Sequence, residues 1–265
     1  SGGLMSALKS SVYETPHNPM MPVGAYALAA SRHMHEFGTT RQDLAHVAVA
    51  ARAWANRNPE AFRQGDMSLD DVLGARMIST PLTARDCCLV TDGAAAVVMT
   101  RADRAADTRA PIPLLGGAQT VTHKEIAAMP DLTVTGAAIT GPQAMQAAGI
   151  TPDDVDCVQL YDAFTINTIL FLEDLGFCPK GEGGRFVASG AIAPGGTLPV
   201  NTNGGGLSCC HPGMYSLFTM VEAIRQLRGE AGARQIASPE IAVSHGNGGV
   251  LSSQATLVFG TPETV

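Results

Sequence analysis

The sequence predicts an α/β fold in which helices and strands alternate and pack in layers. Apolar residues recur at helical spacing in several segments, most clearly over residues 23–37 and 214–227. Short segments rich in β-branched residues, such as 155–160 and 255–260, are typical of strands. Glycine and proline residues separate the two kinds of segment, as expected for turns.

The first half of the chain is expected to be mainly helical. Helices are predicted over residues 23–37 and 40–58, and a short helical turn is predicted over 67–73. Residues 92–99 combine small side chains with β-branched ones. This pattern is typical of a buried strand that packs closely against a neighbour.

The second half alternates more regularly between the two kinds of element. Strands are predicted at residues 112–121, 132–134, 155–160, 241–244 and 255–260. Helices are predicted at residues 140–148, 161–175 and 214–227. The last helix is expected to bury an apolar stripe made of Leu217, Phe218, Val221, Ile224 and Leu227. The charged, alanine-rich stretch 101–111 precedes this pattern and predicts a boundary between units 1–111 and 112–265.

The composition fits a large core and argues against several classes of partner. With 265 residues, 45% of them hydrophobic and 15% charged, the chain can bury a sizeable core. Its 24 acidic against 17 basic residues leave no basic surface for nucleic acid or anionic membrane. No apolar run reaches the length of a membrane span, and the start at Ser1 lacks the features of a secretory signal. A cytoplasmic protein is expected, and the absence of an initiator Met indicates a processed or truncated chain.

Several common site signatures are absent. The cysteines, which match neither a zinc pattern nor a disulfide framework, are Cys87, Cys88, Cys157, Cys178, Cys209 and Cys210. Buried free thiols in a reducing compartment are the expectation. The dinucleotide fingerprint and the phosphate-loop lysine are missing, which weighs against nucleotide-dependent chemistry. The Gly-X-Ser-X-Gly motif of α/β hydrolases is missing as well.

The glycine-rich stretch Asn201–Tyr215 is the main candidate for a functional site. Its glycines allow backbone conformations closed to other residues, so a ligand can approach the main chain, and Asn203 and Gly204 are candidate substrate contacts. His211 follows just ahead of a helix start and titrates near neutral pH, which makes it a candidate acid or base. Tyr215 lies four residues further on and either faces the same cleft or packs in the core.

Two other polar clusters are expected to join this loop. Tyr161 ends a predicted strand, where it can bind a carbonyl or act as an acid/base if its pKa is lowered; a core tyrosine is an equally good interpretation. Asp162 is more simply explained as a helix cap. His245 precedes a Gly-Asn-Gly-Gly run, whose glycines, Gly248 among them, can expose N–H groups for an oxyanion or simply form a tight turn. Because sites in α/β sheets gather at the carboxyl ends of strands, the three clusters are predicted to form one site.

In combination these motifs resemble the thiolase superfamily. Tyr161-Asp-Ala-Phe, the glycine-rich loop with His211-Pro-Gly, and His245-Gly-Asn-Gly-Gly are similar to the Asn-Glu-Ala-Phe, Gly-His-Pro and Cys-X-Gly-Gly-Gly loops of thiolases. The most similar branch comprises sterol-carrier-protein-like thiolases and bacterial lipid-transfer thiolase-like proteins. Residues 1–6 resemble the segment that follows the thiolase nucleophile, and 92–99 resemble the strand that closes the first thiolase half. The resemblance implies a layered α-β-α-β-α fold, with a first half that lacks its first hundred or so residues and a complete second half.

The resemblance also implies roles for individual residues. His211 matches the thiolase histidine that activates the nucleophilic thiol and polarises the thioester oxygen. His245 lies where thiolases place their acid/base cysteine, and the backbone N–H of Asn247 lies where an oxyanion hole is completed. Tyr161 replaces the asparagine, or in the sterol-carrier branch the histidine, that binds the other oxyanion. No cysteine of this chain matches the thiolase nucleophile.

The implied substrates are coenzyme A thioesters, with no permanently bound cofactor and no metal. One implied reaction is thiolase-type acyl transfer, as in acetyl-CoA acetyltransferases. The other is retro-aldol cleavage of β-hydroxyacyl-CoA, such as steroid side chains, in which Tyr161 and Tyr215 act in place of a cysteine nucleophile. A homodimer is implied, and for the aldolases also a small partner with an OB-fold and a zinc ribbon. A non-catalytic subunit that binds lipid or acyl-CoA is the third alternative.

Overall fold

The fold is α/β, as predicted. The structure is a computed structural model that describes residues 14–17, 20–107 and 110–264. The helices are α1 Val23–Phe37, α2 Arg41–Ala55, α3 Leu69–Leu73, α4 Ala137–Ala148, α5 Thr165–Asp174, α6 Gly183–Ala188 and α7 Ser216–Leu227. The strands are β1 Met77–Ser79, β2 Leu82–Thr83, β3 Leu114–Val121, β4 Cys157–Leu160, β5 Ile241–Gly248 and β6 Ser253–Gly260. The segment 1–6, which resembles the one after the thiolase nucleophile, lies outside the described residues.

A four-stranded mixed sheet forms the centre of the second half. Its strand order is β3-β6-β5-β4; β6 is antiparallel to both β3 and β5, while β4 runs parallel to β5 with Leu160 opposite His245. Helix α7 packs on β5 and β4, and α4 packs on β3 and β6. Ser244 contacts α7, whereas the next residue, His245, contacts Phe171 of α5, so the two helices cover opposite faces of the sheet.

Helix α2 forms as predicted and supports the glycine-rich loop. Thr40 and Asp43 make the capping box that starts it. Its apolar face is buried, and Trp54 donates a hydrogen bond to the carbonyl of Ile192 at 2.9 Å. The helix contacts α5, α6 and the turn over 205–209. The N-terminal helices therefore form a further layer behind the site loops.

Two strand predictions and one turn prediction were wrong. Residues 92–99 form no regular structure, and Val98 and Met99 are 94% and 71% exposed, because no strand within the described chain pairs with them. Residues 132–134 form a turn. Strand β5 continues to Gly248 and pairs there with Ser253, so the predicted glycine turn over 246–249 is mostly strand.

The inward face of α7 is polar, which the apolar pattern did not predict. Of the expected stripe only Leu227 is buried, and Leu217 is 42% exposed. The buried positions carry Thr219, Glu222, Ala223 and Gln226 instead. Glu222 accepts hydrogen bonds from Arg234 at 2.9 and 3.0 Å and from Thr202 at 2.7 Å. A buried polar residue is tolerated when its hydrogen bonds are satisfied in this way.

The predicted boundary near residue 111 lies just before β3, but the apolar core crosses it. The largest apolar cluster includes Val23 and Leu44 from one side and Val158 and Val243 from the other. The division into units 1–111 and 112–265 stays a prediction. Within the described ranges, no helix is both long and apolar enough to cross a membrane.

The buried ion pair between Glu222 and Arg234 yields a stability prediction. Glu222→Gln leaves the Arg234 guanidinium buried without its charge partner, so we expect a loss of about 3–5 kcal/mol in the free energy of unfolding. The matched control is Glu36→Gln, which breaks an exposed pair with Arg32 and should cost less than about 1 kcal/mol. Urea unfolding followed by circular dichroism measures both values. Equal losses in the two variants would contradict the prediction.

Candidate functional site

Tyr161, His211 and Tyr215 form one aromatic cluster at the end of β4. The rings of Tyr161 and His211 meet edge to face with centroids 5.3 Å apart. Tyr161 meets Tyr215 in the same way at 5.8 Å, and Tyr215 stacks on His211 at 6.0 Å. The structure therefore brings together three of the four residues predicted to be catalytic.

Tyr161 is placed by the parallel pairing of β4 with β5. Its backbone N–H donates to the carbonyl of His245 at 3.0 Å, which extends the ladder by one residue. Its hydroxyl donates to the carbonyl of Gly213 at 3.3 Å. Burial raises the pKa of Tyr161 to about 12. The sequence-based role as a base required a lowered pKa, so at neutral pH Tyr161 is a hydrogen-bond donor instead.

His211 carries the free nitrogen of the cluster. Its side-chain Nε2 is buried and has no hydrogen-bond partner among the described residues, while its backbone N–H donates to Thr91 Oγ1 at 3.0 Å. The residue is half-buried, and this burial lowers its pKa below the ordinary value. Neutral imidazole therefore dominates at pH 7, and Nε2, which no described group engages, accepts a proton in the tautomer that carries hydrogen on Nδ1.

Tyr215 is a buried structural member of the cluster. It is 1% exposed, its ring stacks on Phe218, and its hydroxyl donates to Asn203 Oδ1 at 3.0 Å. Asn203 Oδ1 also accepts the N–H of Gly205 at 2.8 Å. Both hydroxyl and amide oxygen are thus used inside the protein. Asn203, predicted to contact substrate, instead holds Tyr215 and the loop in place.

Close packing explains the three consecutive glycines. Gly204 has φ 102°, and a Cβ there would lie 2.7 Å from the Cβ of Ala55 in α2. A Cβ on Gly205 would collide with a carboxylate oxygen of Asp162, and one on Gly206 would lie 3.0 Å from both Asp162 and His211. Gly204 therefore faces a helix, not a ligand, and the glycines let protein groups approach the loop.

His245 lies apart from the cluster, which corrects the predicted three-loop site. It is fully buried within β5, where Nδ1 contacts Thr256 Oγ1 at 2.8 Å and Nε2 contacts Gln254 Oε1 at 2.7 Å. Burial lowers its pKa to about 4. A histidine with both nitrogens occupied in the sheet core is a packing residue. The period of two along β5 turns its side chain towards Phe171, away from α7.

The two residues predicted to complete an oxyanion hole have different surroundings. The side chain of Asn247 is buried; it donates to the hydroxyl of Tyr26 at 2.9 Å and accepts from Gln254 at 2.9 Å. Gly248 lines a cavity of about 460 Å³ beside Ser216 at the start of α7. Asn247 lines the same cavity, so both residues border a space that could hold a ligand, although the side chain of Asn247 is used inside the protein.

Sequence reasoning missed several groups that support the cluster. Asp162 does not cap α5, whose N-cap is Phe164 without a side-chain cap bond; its carboxylate accepts N–H groups of the glycine-rich loop. Asn58 donates to the carbonyl of Asn203 at 2.9 Å and accepts from Arg234 at 3.3 Å. Of these two residues, only Asp162 could have been found from the sequence, because it directly follows Tyr161, whereas Asn58 is far from the motifs in sequence.

The cysteines differ in reactivity. All six are free thiols. Burial raises the pKa of Cys87, Cys88, Cys157 and Cys178, and a hydrogen bond to Cys210 raises that of Cys209. The pKa of Cys210, beside His211, is lowered because the thiol of Cys209 donates to it. Over the described part of the chain, no group of three or more His, Cys, Asp or Glu side chains could hold a metal ion.

Comparison with known proteins identifies the family. The family model of thiolase C-terminal domain-like proteins matches residues 118–261. An acetyl-CoA acetyltransferase of Methanothermobacter thermautotrophicus is 39% identical over 88% of this chain and 62% of its own length. A 17-hydroxy-3-oxo-4-pregnene-20-carboxyl-CoA lyase of Mycobacterium tuberculosis is 38% identical over 82% of this chain and 58% of its own.

Solved structures agree with this assignment. The structure of the Ltp2-ChsH2(DUF35) aldolase is 30% identical with a TM-score of 0.82, over 91% of this chain and 64% of that chain. The chain thus spans less than two thirds of the relatives it matches. The matched region begins within β3, ends just after β6 and contains the whole aromatic cluster. The chain belongs to the thiolase superfamily, and residues 118–261 form its thiolase C-terminal domain-like part.

Proposed function

We propose that this chain carries the acid/base pair of an enzyme that cleaves a carbon–carbon bond in β-hydroxyacyl-CoA thioesters by a retro-aldol reaction. The observation that carries the proposal is the contact between Tyr161, which keeps its proton, and His211, whose free Nε2 can accept one. The lyase and aldolase names of two relatives support this reaction class.

The reaction needs one base and one oxyanion donor. His211 Nε2 takes the proton of the β-hydroxyl, the bond between Cα and Cβ breaks, and a carbonyl forms at Cβ. The electron pair of the broken bond moves to the thioester. The hydroxyl of Tyr161 then leaves the Gly213 carbonyl, to which its bond is long at 3.3 Å, and donates a hydrogen bond to the enolate oxygen. The protonated His211 then returns its proton to Cα, which gives the shortened acyl-CoA. In this assignment the base is His211, not Tyr161, which acts as a hydrogen-bond donor.

Three arginines support coenzyme A as the carrier of the acyl group. A cleft of about 600 Å³ is lined by Arg63, Arg76 and Arg85 together with Asp70 and Asp71. None of the three arginines forms an ion pair within the described ranges, so the positive charges outnumber the negative ones. The cleft adjoins the glycine-rich loop, since the N–H of Arg63 donates to the carbonyl of Ser208 at 2.9 Å. Guanidinium groups bind phosphates in a bidentate manner. We propose that the cleft receives phosphates of the coenzyme.

Acyl transfer is the second candidate, and Cys210 is the observation that favours it. The hydrogen bond from Cys209 lowers the pKa of this thiol, which directly precedes His211 in the chain. The acetyl-CoA acetyltransferase name of one relative supports the same reaction. If the wild-type protein carries out thiolysis of a 3-ketoacyl-CoA and Cys210→Ser abolishes it, the reaction is acyl transfer and not aldol cleavage. A retained fold without turnover of either substrate would favour a binding subunit.

A contact with another protein chain is supported by an apolar surface beside the site. Met214 and Leu217 at the start of α7 are 84% and 42% exposed, and Val90 is 96% exposed. Gly93 lies against Phe218, so the segment around Val90 and the start of α7 form one surface. We propose that it binds a second copy of the chain or a small OB-fold, zinc-ribbon protein, in a cytoplasmic enzyme. The name of the Ltp2-ChsH2(DUF35) aldolase supports a partner subunit.

The Tyr161–His211 pair is tested by substitution. Tyr161→Phe should lower kcat for a β-hydroxyacyl-CoA about 100-fold, because it removes the oxyanion donor. His211→Ala should lower kcat by about 100-fold or more, because it removes the base. Tyr26→Phe, the matched control, removes another buried hydroxyl and should stay within about twofold of wild type. Release of the aldehyde or ketone product is the measurement. Full activity in Tyr161→Phe or His211→Ala would remove that residue from the mechanism.

The arginine cleft is tested with two substrates that share one acyl group. Arg76→Ala and Arg85→Ala should each raise KM for the CoA thioester about tenfold, by loss of a charge-assisted hydrogen bond. They should leave KM for the pantetheine thioester unchanged, because that substrate lacks the nucleotide phosphates. Arg185→Ala, which removes an exposed arginine paired with Glu182, is the control. A rise in KM for both substrates would mean that the arginines of the cleft do not bind the phosphates of coenzyme A.

The apolar surface is tested by its effect on association. Leu217→Asp should raise the dissociation constant about tenfold or more, because it places a charge in the contact, while the free energy of unfolding of the single chain changes little. Analytical ultracentrifugation of the chain alone, and then with the partner protein, measures this. Ile224→Asp further along α7 is a comparison outside the proposed surface. Association that Leu217→Asp leaves unchanged would exclude this surface.

A further inference from the structure

We propose that Asp162 is the positioning residue of the Tyr161–His211 pair, because its carboxylate holds the glycine-rich loop against the end of β4. The inference rests on the function proposed above and concerns the same site. It gives a role to the second residue of the Tyr-Asp-Ala-Phe motif, which neither the base nor the oxyanion donor explains.

The contact joins two segments that are far apart in sequence. Asp162 is fully buried, and its Oδ1 accepts the N–H of Gly206 at 2.6 Å. Its Oδ2 lies 3.4 Å from the N–H of Leu207. These N–H groups belong to the single π turn over 205–209, which leaves some of its backbone donors without partners in the turn. The carboxylate thus supplies the acceptor that the turn lacks.

Glycine at two positions makes the approach possible. A Cβ on Gly205 would collide with Asp162 Oδ2, and a Cβ on Gly206 would lie 3.0 Å from Asp162 Oδ1. The same Cβ on Gly206 would lie 3.0 Å from Cδ2 of His211. The carboxylate, the loop backbone and the imidazole are therefore packed in direct succession. A shift of the loop relative to Asp162 moves the histidine ring.

Among the other contacts of the loop, residues 89–91 support the part that carries Gly206 and His211. The N–H of Leu89 donates to the carbonyl of Gly206 at 2.9 Å, and Thr91 Oγ1 accepts the N–H of His211 at 3.0 Å. Residues 89–91 thus hold the loop from outside, and Asp162 holds it from inside. Because Asp162 follows Tyr161 directly, the inner support fixes the loop relative to the tyrosine.

The charge of Asp162 is balanced by backbone N–H groups and by a side-chain hydrogen bond from Asn201. The titratable groups that face it are Cys88, Tyr161, Tyr215, Cys210 and, across Gly206, His211. None of the ion pairs within the described ranges includes Asp162. Burial raises the pKa of the Asp162 carboxyl to about 7, and the N–H groups of Gly206 and Leu207 act in the opposite direction. Protonation turns one acceptor oxygen into a donor, so the support weakens as the pH falls through this value.

The test compares Asp162→Asn with Asp156→Asn. Asparagine keeps one acceptor oxygen at position 162 but directs an NH₂ group at the N–H of the loop. We expect kcat for a β-hydroxyacyl-CoA to fall about 10- to 100-fold with KM within about twofold, because the pair is misplaced while the substrate still binds. Asp156 also accepts two backbone N–H groups, from Glu240 and Ile241, but is exposed and remote from the pair. Its substitution should leave kcat within about twofold of wild type.

Two further measurements separate positioning from general damage. In wild type, kcat should rise with pH through a group near 7, and this step should be absent in Asp162→Asn while the lower step of His211 remains. In the unliganded protein, nuclear Overhauser effects between the rings of Tyr161 and His211 should be lost in Asp162→Asn and kept in Asp156→Asn. Should Asp162→Asn fail to fold, Gly206→Ala displaces the loop from the other side and should give the same loss of kcat.

The outcomes distinguish the two proposals. A wild-type protein that cleaves no β-hydroxyacyl-CoA would refute the proposed function, while the ring-to-ring effects would still decide whether Asp162 positions the pair. Unchanged kcat, unchanged pH dependence and unchanged ring contacts in Asp162→Asn would overturn the positioning role. A fall in kcat together with an equal rise in KM would also count against it.

Discussion

A single buried carboxylate connects the two segments on which the site depends. Asp162 lies two residues after the end of β4, and its oxygens accept N–H groups of the turn that leads to His211. Glycine is required opposite it because any side chain would occupy the same space. The motif residues are therefore coupled by packing as well as by chemistry: the carboxylate needs the glycines, and the histidine needs the loop that the carboxylate holds.

Behind this contact lies a polar network that fixes the remaining wall. Glu222 binds Arg234, which contacts Asn58, and Asn58 holds the carbonyl of Asn203. The side chain of Asn203 then accepts the hydroxyl of Tyr215. Such networks are stable only when every member has a partner, and they tolerate little displacement. A tyrosine that is fixed in this way supports the imidazole it stacks on but has no free hydroxyl for a substrate.

Sequence-based prediction was most accurate where the structure depends on residues close together in the sequence. The helix over 23–37 was predicted to the residue, because apolar spacing and Gly38 determine it locally. Tyr161 and His211 were predicted as site residues because each belongs to a recognisable motif, and the structure brings their rings into contact. His245 carried a motif of the same quality, yet the ladder places its side chain in the core. The exposed segment 92–99 failed as a strand because strand formation depends on a partner, which its own residues do not supply.

The fold class, most helices, the family motifs and the two residues of the proposed acid/base pair could be predicted from the amino-acid sequence. These follow from periodicity, capping residues and short motifs, which act over a few residues along the chain. Which of the motif residues are in contact became clear only from the three-dimensional fold, since burial and strand register depend on distant segments. It separated His245 from the cluster, gave Tyr215 and Asn203 supporting roles, and brought Asp162 to the loop. It also set the protonation of the pair, because burial raises the pKa of Tyr161 and lowers that of His211.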